Sequence, residues 1–442
     1  MLAIETLSWM QMQNFSERLA LARTVKQLNV TDYNAARLAH SLVVETVRRQ
    51  NFIDKFINNT IKPDTIDEYS LGLQAFLRLY VYKTRAAENW NKTDLEEAAN
   101  IAGLGRAILG WKTLQKAEPM LGTLLTQDPA VVYANTNDQQ RIALKTFHPV
   151  WFVKYCFRIF GRPEAIVMLE ADMQQSPTYI RLNTLKAGQD EILQRLAQEE
   201  IKVEKVEGLK YAYKVIGSKQ PLAVVTACKE GLFYIQDKAS CFASEAANPK
   251  SEMTVLDVCA APGAKTTYLA QLMQNKGMVY SIDYSKRRMR DWKREVAHMG
   301  AMIAEPVIAD ACRSLPFKLE ADVVVLDPPC TSTGTFGKLP SAKWRIRPRS
   351  IGKMAEIQRQ MLGKSAENVK AGGTLIYSTC SITVEENEMI IEQFLKQHPE
   401  FSLAEITPTL GLPGLRGLDR CQRLYPHIHE CNGFFIAKLL KE

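Results

Sequence analysis

The stretch Val255-Leu-Asp-Val-Cys-Ala-Ala-Pro-Gly-Ala-Lys-Thr-Thr267 decides the fold. Its apolar front half reads as a buried strand, its small residues as a tight turn, and its end as the opening of a helix. Two more apolar strands follow, Val323-Val-Val-Leu-Asp-Pro-Pro-Cys330 and Thr374-Leu-Ile-Tyr-Ser-Thr-Cys380, each running into a cysteine. In a doubly wound parallel sheet the carboxyl ends of such strands line one crevice, where ligands bind. The pattern predicts a small-molecule site with two thiols above it.

Working outward, strands near 254–259, 277–282, 303–309, 322–327 and 373–379 alternate with helices at 264–275, 285–299, 353–370 and 385–397. That alternation predicts a mostly parallel sheet with helices on both faces, an α/β fold. A last strand, Gly433 to Leu439, reads as an antiparallel edge. From Met1 to about Gln140 the apolar residues recur at three- and four-residue steps, which predicts an all-helical region. Between the two, Pro177 to Asn183 alternates like a strand, helices are expected over Glu164–Met173 and Gln189–Glu199, and short strands near Val203, Tyr211 and Phe233. The expected division is three domains, at 1–145, 146–248 and 249–442.

The chain has 442 residues, 46% hydrophobic and 24% charged, a globular composition too long for one core. No apolar run reaches the length of a membrane span, and the first residues lack the layout of a signal peptide. Nine cysteines with no CxxC pair point to free thiols in a reducing, cytoplasmic setting. His427, His429 and Cys431, with Cys421 nearby, meet no standard zinc spacing, so no metal is expected. A net charge of +8 favours a nucleic-acid partner where it clusters.

The turn after the first strand has one glycine, Gly263, with Ala260, Ala261 and Ala264 leaving room for a flat ligand. GxGxxG is absent, and Ala264 stands where a Walker A loop needs its second glycine. Asp283 ends the next strand, where a carboxylate accepts the hydroxyls of a ribose. A nucleoside without phosphates fits best, and S-adenosylmethionine is the common one. Asp327-Pro-Pro-Cys330 closes its strand with a rigid turn, so the acid is presented to the edge of a planar base. Methylating carbon 5 of cytosine requires a thiolate to add to carbon 6 first, and hydrogen bonding at ring nitrogen 3 by Asp327 assists that addition. Spacing does not choose between Cys330 and Cys380 as the nucleophile. Two rival readings remain at this point: an amino-methylating enzyme using Asp-Pro-Pro as a polar clamp, and a non-catalytic RNA-binding assembly factor.

VLDVCAAPGAKTT, Asp310 within VIADAC, VLDPPCTSTG and YSTCSITVEENE together resemble the motifs of the Fmu/Sun (RsmB-like) family of RNA cytosine-5 methyltransferases. The resemblance extends through Gly231-Leu-Phe-Tyr-Ile-Gln-Asp-Lys-Ala-Ser240 to Gly433-Phe-Phe-Ile-Ala-Lys438, so it covers roughly residues 145 to 440. It implies a Rossmann-type methyltransferase preceded by a small RRM-like α/β subdomain and an N-terminal NusB-like helical domain. It further implies that Cys380 is the nucleophile and that Cys330 assists release of the methylated base, with Asp327 and Lys265 beside the base. Cofactor contacts would come from Cys259, Ala260, Ala261, Pro262, Gly263, Ala264 and Lys265, and from Asp283, Arg288, Asp310 and Asp327. The expected partner is RNA, ribosomal RNA before tRNA, bound by a monomer. One departure stands out: the family has two glycines before the lysine, and here Gly263 is followed by Ala264.

Two cationic clusters are candidates for holding RNA. Lys286-Arg-Arg-Met-Arg-Asp-Trp-Lys-Arg294 reads either as a solvated helix face or, at Arg288, as a cofactor contact. Lys338, Lys343, Trp344, Arg345, Arg347 and Arg349 border the presumed base pocket and are expected to meet phosphates, with Trp344 and Phe336 available to stack on bases.

Overall fold

The structure, a computed structural model, describes residues 1–86, 93–315 and 319–442. The chain forms two compact units, one of residues 1–174 with 336–346, the other of residues 175–335 with 347–442.

The first unit is helical, as the apolar spacing predicts. Leu2–Gln13, Tyr33–Arg48, Gln50–Thr60 and Leu71–Val81 bury Leu7, Val43, Val47, Phe52, Phe56, Phe76 and Leu77 in one core. Asp32 caps the second of these, accepting from the backbone N–H groups of Asn34 and Ala35, which would otherwise lack partners. Where the sequence places a boundary at 145/146, this unit runs on to Gln174 and includes the helices Val150–Phe160 and Arg162–Ala171.

Segment 336–346 is built into this helical unit, and that corrects the reading of the second cationic cluster. Phe336 is fully buried against Phe152, with ring centroids 4.9 Å apart, so it has no face to offer a base. Lys343 is also fully buried and donates to the Phe147 carbonyl at 3.2 Å. Burial pushes its pKa down to about 7. Trp344 donates its indole N–H to the Val47 carbonyl at 2.7 Å. Glu17 accepts from the Ser341 hydroxyl, and Asp172 accepts from the Gly337 N–H at 3.2 Å. Arg345, Arg347 and Arg349 remain exposed. Chain spacing could not say which cations of the run face inward.

In the second unit, β1 (Tyr179–Leu182), β2 (Ile201–Lys205), β3 (Ala212–Ser218) and β4 (Phe233–Ile235) form an antiparallel sheet in the order β2-β3-β1-β4. With the helices Gln189–Gln198 and Thr226–Lys229 this is the β-α-β-β-α-β ferredoxin-like arrangement, in line with the expected RRM-like subdomain.

The large sheet holds β5 (Thr254–Val258), β6 (Met278–Ile282), β7 (Ala304–Val307), β8 (Ala321–Leu326) and β9 (Val369–Thr379), paired in parallel in the order β7-β6-β5-β8-β9. The interior strands β5 and β8 are covered on both faces, which explains their unbroken apolar runs. Three short strands follow, β10 (Phe401–Leu403), β11 (Leu412–Pro413) and β12 (Gln422–Leu424), and then β13 (Phe434–Lys441). β13 pairs antiparallel to β9 as expected, but it is not an edge. β10 and β12 pair with it and cover its outer side. Strands of two or three residues carry too little periodicity to be read from sequence.

The buried amine in the helical unit has a measurable consequence. A lysine whose folded pKa is depressed to about 7 leaves the unfolded chain holding more protons between that pH and its ordinary value. Stability contributed by this group therefore rises with pH across that window. Urea midpoints from pH 7 to 9 should climb more steeply for the native chain than for Lys343→Met, and parallel curves would show that Lys343 is charged when folded.

Candidate active site

The site is set by register. Parallel pairing puts Val258, Ile282, Leu326 and Tyr377 in one row across the sheet. The next residue on each strand is Cys259, Asp283, Asp327 and Ser378, and Cys380 lies two further along. Strand order reverses around β5, since β6 lies on one side and β8 on the other, and this is the crevice where ligands bind in doubly wound sheets. A cleft of about 370 Å³ opens there, lined by Cys259, Ala261, Asp283, Arg288, Asp327, Cys330 and Cys380, with Met361 and Ser332. That volume falls within the ~300–1,000 Å³ of small-molecule sites.

One end of the cleft suits an adenosine. Asp283 is almost fully buried; it accepts from the Ser285 N–H at 2.9 Å and pairs with Arg288 at 2.9 Å. Arg288 also donates to the Ala261 carbonyl, so it ties the β5 turn to the end of β6. Cys259 has a φ of 65°, and Gly263 a φ of 119° that side chains rarely adopt. Ala264 opens the helix Ala264–Leu272 and is absent from the positive-φ residues, so its extra methyl brings no backbone strain. Ala260, Pro262, Gly263, Ala264 and Lys265 shape the turn but do not line the cleft. Asp310 is exposed; its neighbours Ala309 and Ala311 line the cleft while its carboxylate accepts from the Cys312 N–H at 3.0 Å. The buried acid, the small residues and the apolar Met361 fit the adenosyl part of S-adenosylmethionine.

The other end carries the thiols. Cys330 and Cys380, fifty residues apart in sequence, sit with their sulfurs 3.1 Å apart. The Ser332 hydroxyl lies 3.4 Å from the Cys380 sulfur. Beside them Lys265 and Asp327 form an ion pair at 2.5 Å. Burial works against the lysine charge, but Asp327 outweighs it and holds Lys265 above its ordinary pKa. Two thiols this close cannot ionise together, and here the preference is resolved. The hydrogen bond donated by Cys330 pulls the Cys380 pKa down, aided by Ser332 and Lys265, while the same bond and burial push Cys330 well up. Burial also raises Cys228, Cys241, Cys259, Cys312 and Cys421, so Cys380 stands apart.

A residue outside the sequence-derived site holds this arrangement. Glu386 is fully buried and accepts from the Thr331 N–H (2.8 Å), the Thr331 hydroxyl, Ser381 (2.6 Å), Thr383 (2.8 Å) and Gln358 (3.0 Å). It bolts the residue after Cys330 to the residue after Cys380. The expected helix 385–397 begins only at Glu388, because Glu386 and Asn387 are turned to this loop. The signal was present as an acid three residues after Thr383 in YSTCSITVEENE. Asp257, buried on β5 with its pKa pushed up to about 7 by burial, accepts from Thr266 at 2.6 Å and was likewise not singled out.

The family profile described as 16S rRNA methyltransferase RsmB/F matches residues 245–440, and a RsmF/B-like ferredoxin-like domain matches residues 148–219. The chain is 30% identical to a Bacillus subtilis protein named probable ribosomal RNA small subunit methyltransferase B, over 100% of this chain and 98% of that one. The chain belongs to the RsmB/F methyltransferase family. A Pyrococcus horikoshii tRNA (cytosine(72)-C(5))-methyltransferase is 36% identical over 50% of this RsmB/F chain and 55% of its own length. The crystal structure of NSun6 from Pyrococcus horikoshii with SFG, an analogue of S-adenosylmethionine, superposes with a TM-score of 0.60 at 25% identity, covering 65% of this chain and 97% of that one. Among the described residues, no helix is long and apolar enough to cross a membrane.

If the Cys330 thiol supports a Cys380 thiolate, alkylation shows it. The pH midpoint for iodoacetamide labelling of the Cys380 peptide, followed by mass spectrometry, should lie below that of an ordinary thiol and move up in Cys330→Ala. An unchanged midpoint would mean the hydrogen bond is not the cause.

Proposed function

We propose that Cys380 attacks carbon 6 of a cytidine and that Cys330 assists the release of the methylated base. The chain is an S-adenosylmethionine-dependent RNA (cytosine-5-)-methyltransferase, in keeping with its family and with relatives named for ribosomal and transfer RNA cytosine methylation. The observation that supports the residue roles is the sulfur pair at 3.1 Å, with the Cys380 pKa lowered and the Cys330 pKa raised.

The Cys380 thiolate forms a bond to carbon 6, and the ring double-bond electrons move so that carbon 5 becomes nucleophilic. S-adenosylmethionine, when bound, supplies an electrophilic methyl group to that carbon. Water in the open cleft then takes the carbon 5 proton, the freed electron pair re-forms the carbon 5–carbon 6 double bond, and the Cys380 sulfur departs as a thiolate, restoring the aromatic ring. Cys330 is the group nearest the departing sulfur. Asp327, held by Lys265 at 2.5 Å, offers its carboxylate to the polar edge of the base, which stabilises charge pushed onto the ring. Asp283, Arg288 and the turn from Cys259 to Lys265 orient the cofactor. Asp310 acts at most through the turn it caps.

Small-subunit ribosomal RNA is the substrate this reading favours, supported by the full-length Bacillus subtilis relative. The protein works in the cytoplasm as a monomer. Residues 1–174 with 336–346 serve as the accessory RNA-binding unit, 175–248 as the RRM-like subdomain, and 249–335 with 347–442 as the catalytic domain. A cytidine buried in an RNA helix must be extruded before a thiol can reach carbon 6.

Cys380→Ala should reduce methyl transfer from labelled S-adenosylmethionine to background. Cys330→Ala should accumulate a protein–RNA adduct that survives denaturing electrophoresis, and a folded Cys330→Ala that leaves no adduct would sink the two-thiol scheme. Asp327→Asn should lower kcat by about 10²- to 10⁴-fold. Bisulfite sequencing of RNA from cells with and without the gene should reveal one protected cytidine in small-subunit ribosomal RNA; protection confined to tRNA would overturn that choice of substrate.

A further inference from the structure

We propose that the helical unit carries a second recognition site, a pocket for one unstacked nucleotide of the RNA. The proposal rests on RNA being the substrate, and it concerns a cavity made wholly of residues in the first unit. Its volume is about 200 Å³, larger than the ~150 Å³ cavity that accepts a benzene ring in an engineered protein.

The wall has the chemistry of a base pocket. Gln50 brings an amide, held only at 3.5 Å by Asp54, which offers donor and acceptor together to the edge of a base. Phe15 and Trp344 supply aromatic surface, on which bases stack irrespective of sequence. Arg78 lines the interior, where Asp54 neutralises it, and the exposed Arg345 lines the rim, where its cation is available to a phosphate.

The wall is also fixed in advance. Arg78 donates to both oxygens of Asp54 at 2.6 and 3.1 Å and to the Gln11 amide oxygen at 2.8 Å. Gln11 in turn donates to Gln74 at 2.7 Å. The Trp344 indole is anchored on the Val47 carbonyl. Groups held this way lose little freedom when a ligand arrives.

The test uses the full-length protein and short single-stranded RNAs that each carry one 4-thiouridine. Ultraviolet crosslinking and peptide mapping should place an adduct at Phe15 or Trp344. Affinity for the same RNAs should fall about tenfold in Gln50→Leu, and should fall less in Trp344→Phe, which keeps a stacking ring, than in Trp344→Leu. Calorimetric binding of S-adenosylmethionine should be unchanged in all three, which shows that the catalytic unit is folded. Crosslinks confined to residues 175–335 and 347–442, or wild-type affinity in Gln50→Leu, would overturn this pocket while leaving the RNA reading intact. No crosslink anywhere would remove both.

Discussion

The active arrangement depends on one buried carboxylate. Glu386 gathers donors from Thr331, Ser381, Thr383 and Gln358, and in doing so joins two loops that leave the sheet at different strands. A charge buried this deeply is tolerable only when its oxygens are saturated with hydrogen bonds. Each of those donors would in turn cost about 1–3 kcal/mol if left alone. The loops are thus held to one geometry, and the sulfurs of Cys330 and Cys380 come within 3.1 Å because of it. Close backbone approach completes the joint. Gly334 donates its N–H to the Cys380 carbonyl at 2.9 Å and accepts from the Gly433 N–H at 2.7 Å, and a Cβ on Gly334 would collide with the Gly433 carbonyl.

From that geometry follows a division of labour between two identical side chains. Proximity forbids two thiolates, so one sulfur must keep its proton. Ser332 and Lys265 lie on the Cys380 side of the pair and help make Cys380 the one that ionises. The Lys265–Asp327 ion pair couples this preference to the end of β8. A thiol of lowered pKa, its proton-bearing neighbour and a buried ion pair therefore arise within a few residues of three strand ends.

Much of this was legible in the chain. The unbroken apolar runs of β5 and β8 announced a doubly covered parallel sheet, and Asp283, Asp327 and the two cysteines at strand ends announced the crevice. The four strands of the ferredoxin-like sheet were legible from alternation and spacing. What escaped was whatever depends on a partner distant in sequence. Lys343 and Phe336 look like part of an RNA-facing run, yet both are fully buried in the helical unit. Glu386 looked like one acid among several in a polar stretch. β13 looked like an edge because the strands that cover it are two or three residues long.

The sequence by itself determined the order of elements, the Rossmann-type sheet and the aspartates and cysteines that stand at its carboxyl ends, because strand and helix periods are local properties of the chain. Only the tertiary structure decided which of the two thiols is acidic, which cations are withdrawn from solvent and which loop binds which. Those outcomes turn on distances between residues tens to hundreds of positions apart, and both electrostatic interaction and desolvation depend on distance and burial rather than on spacing along the chain.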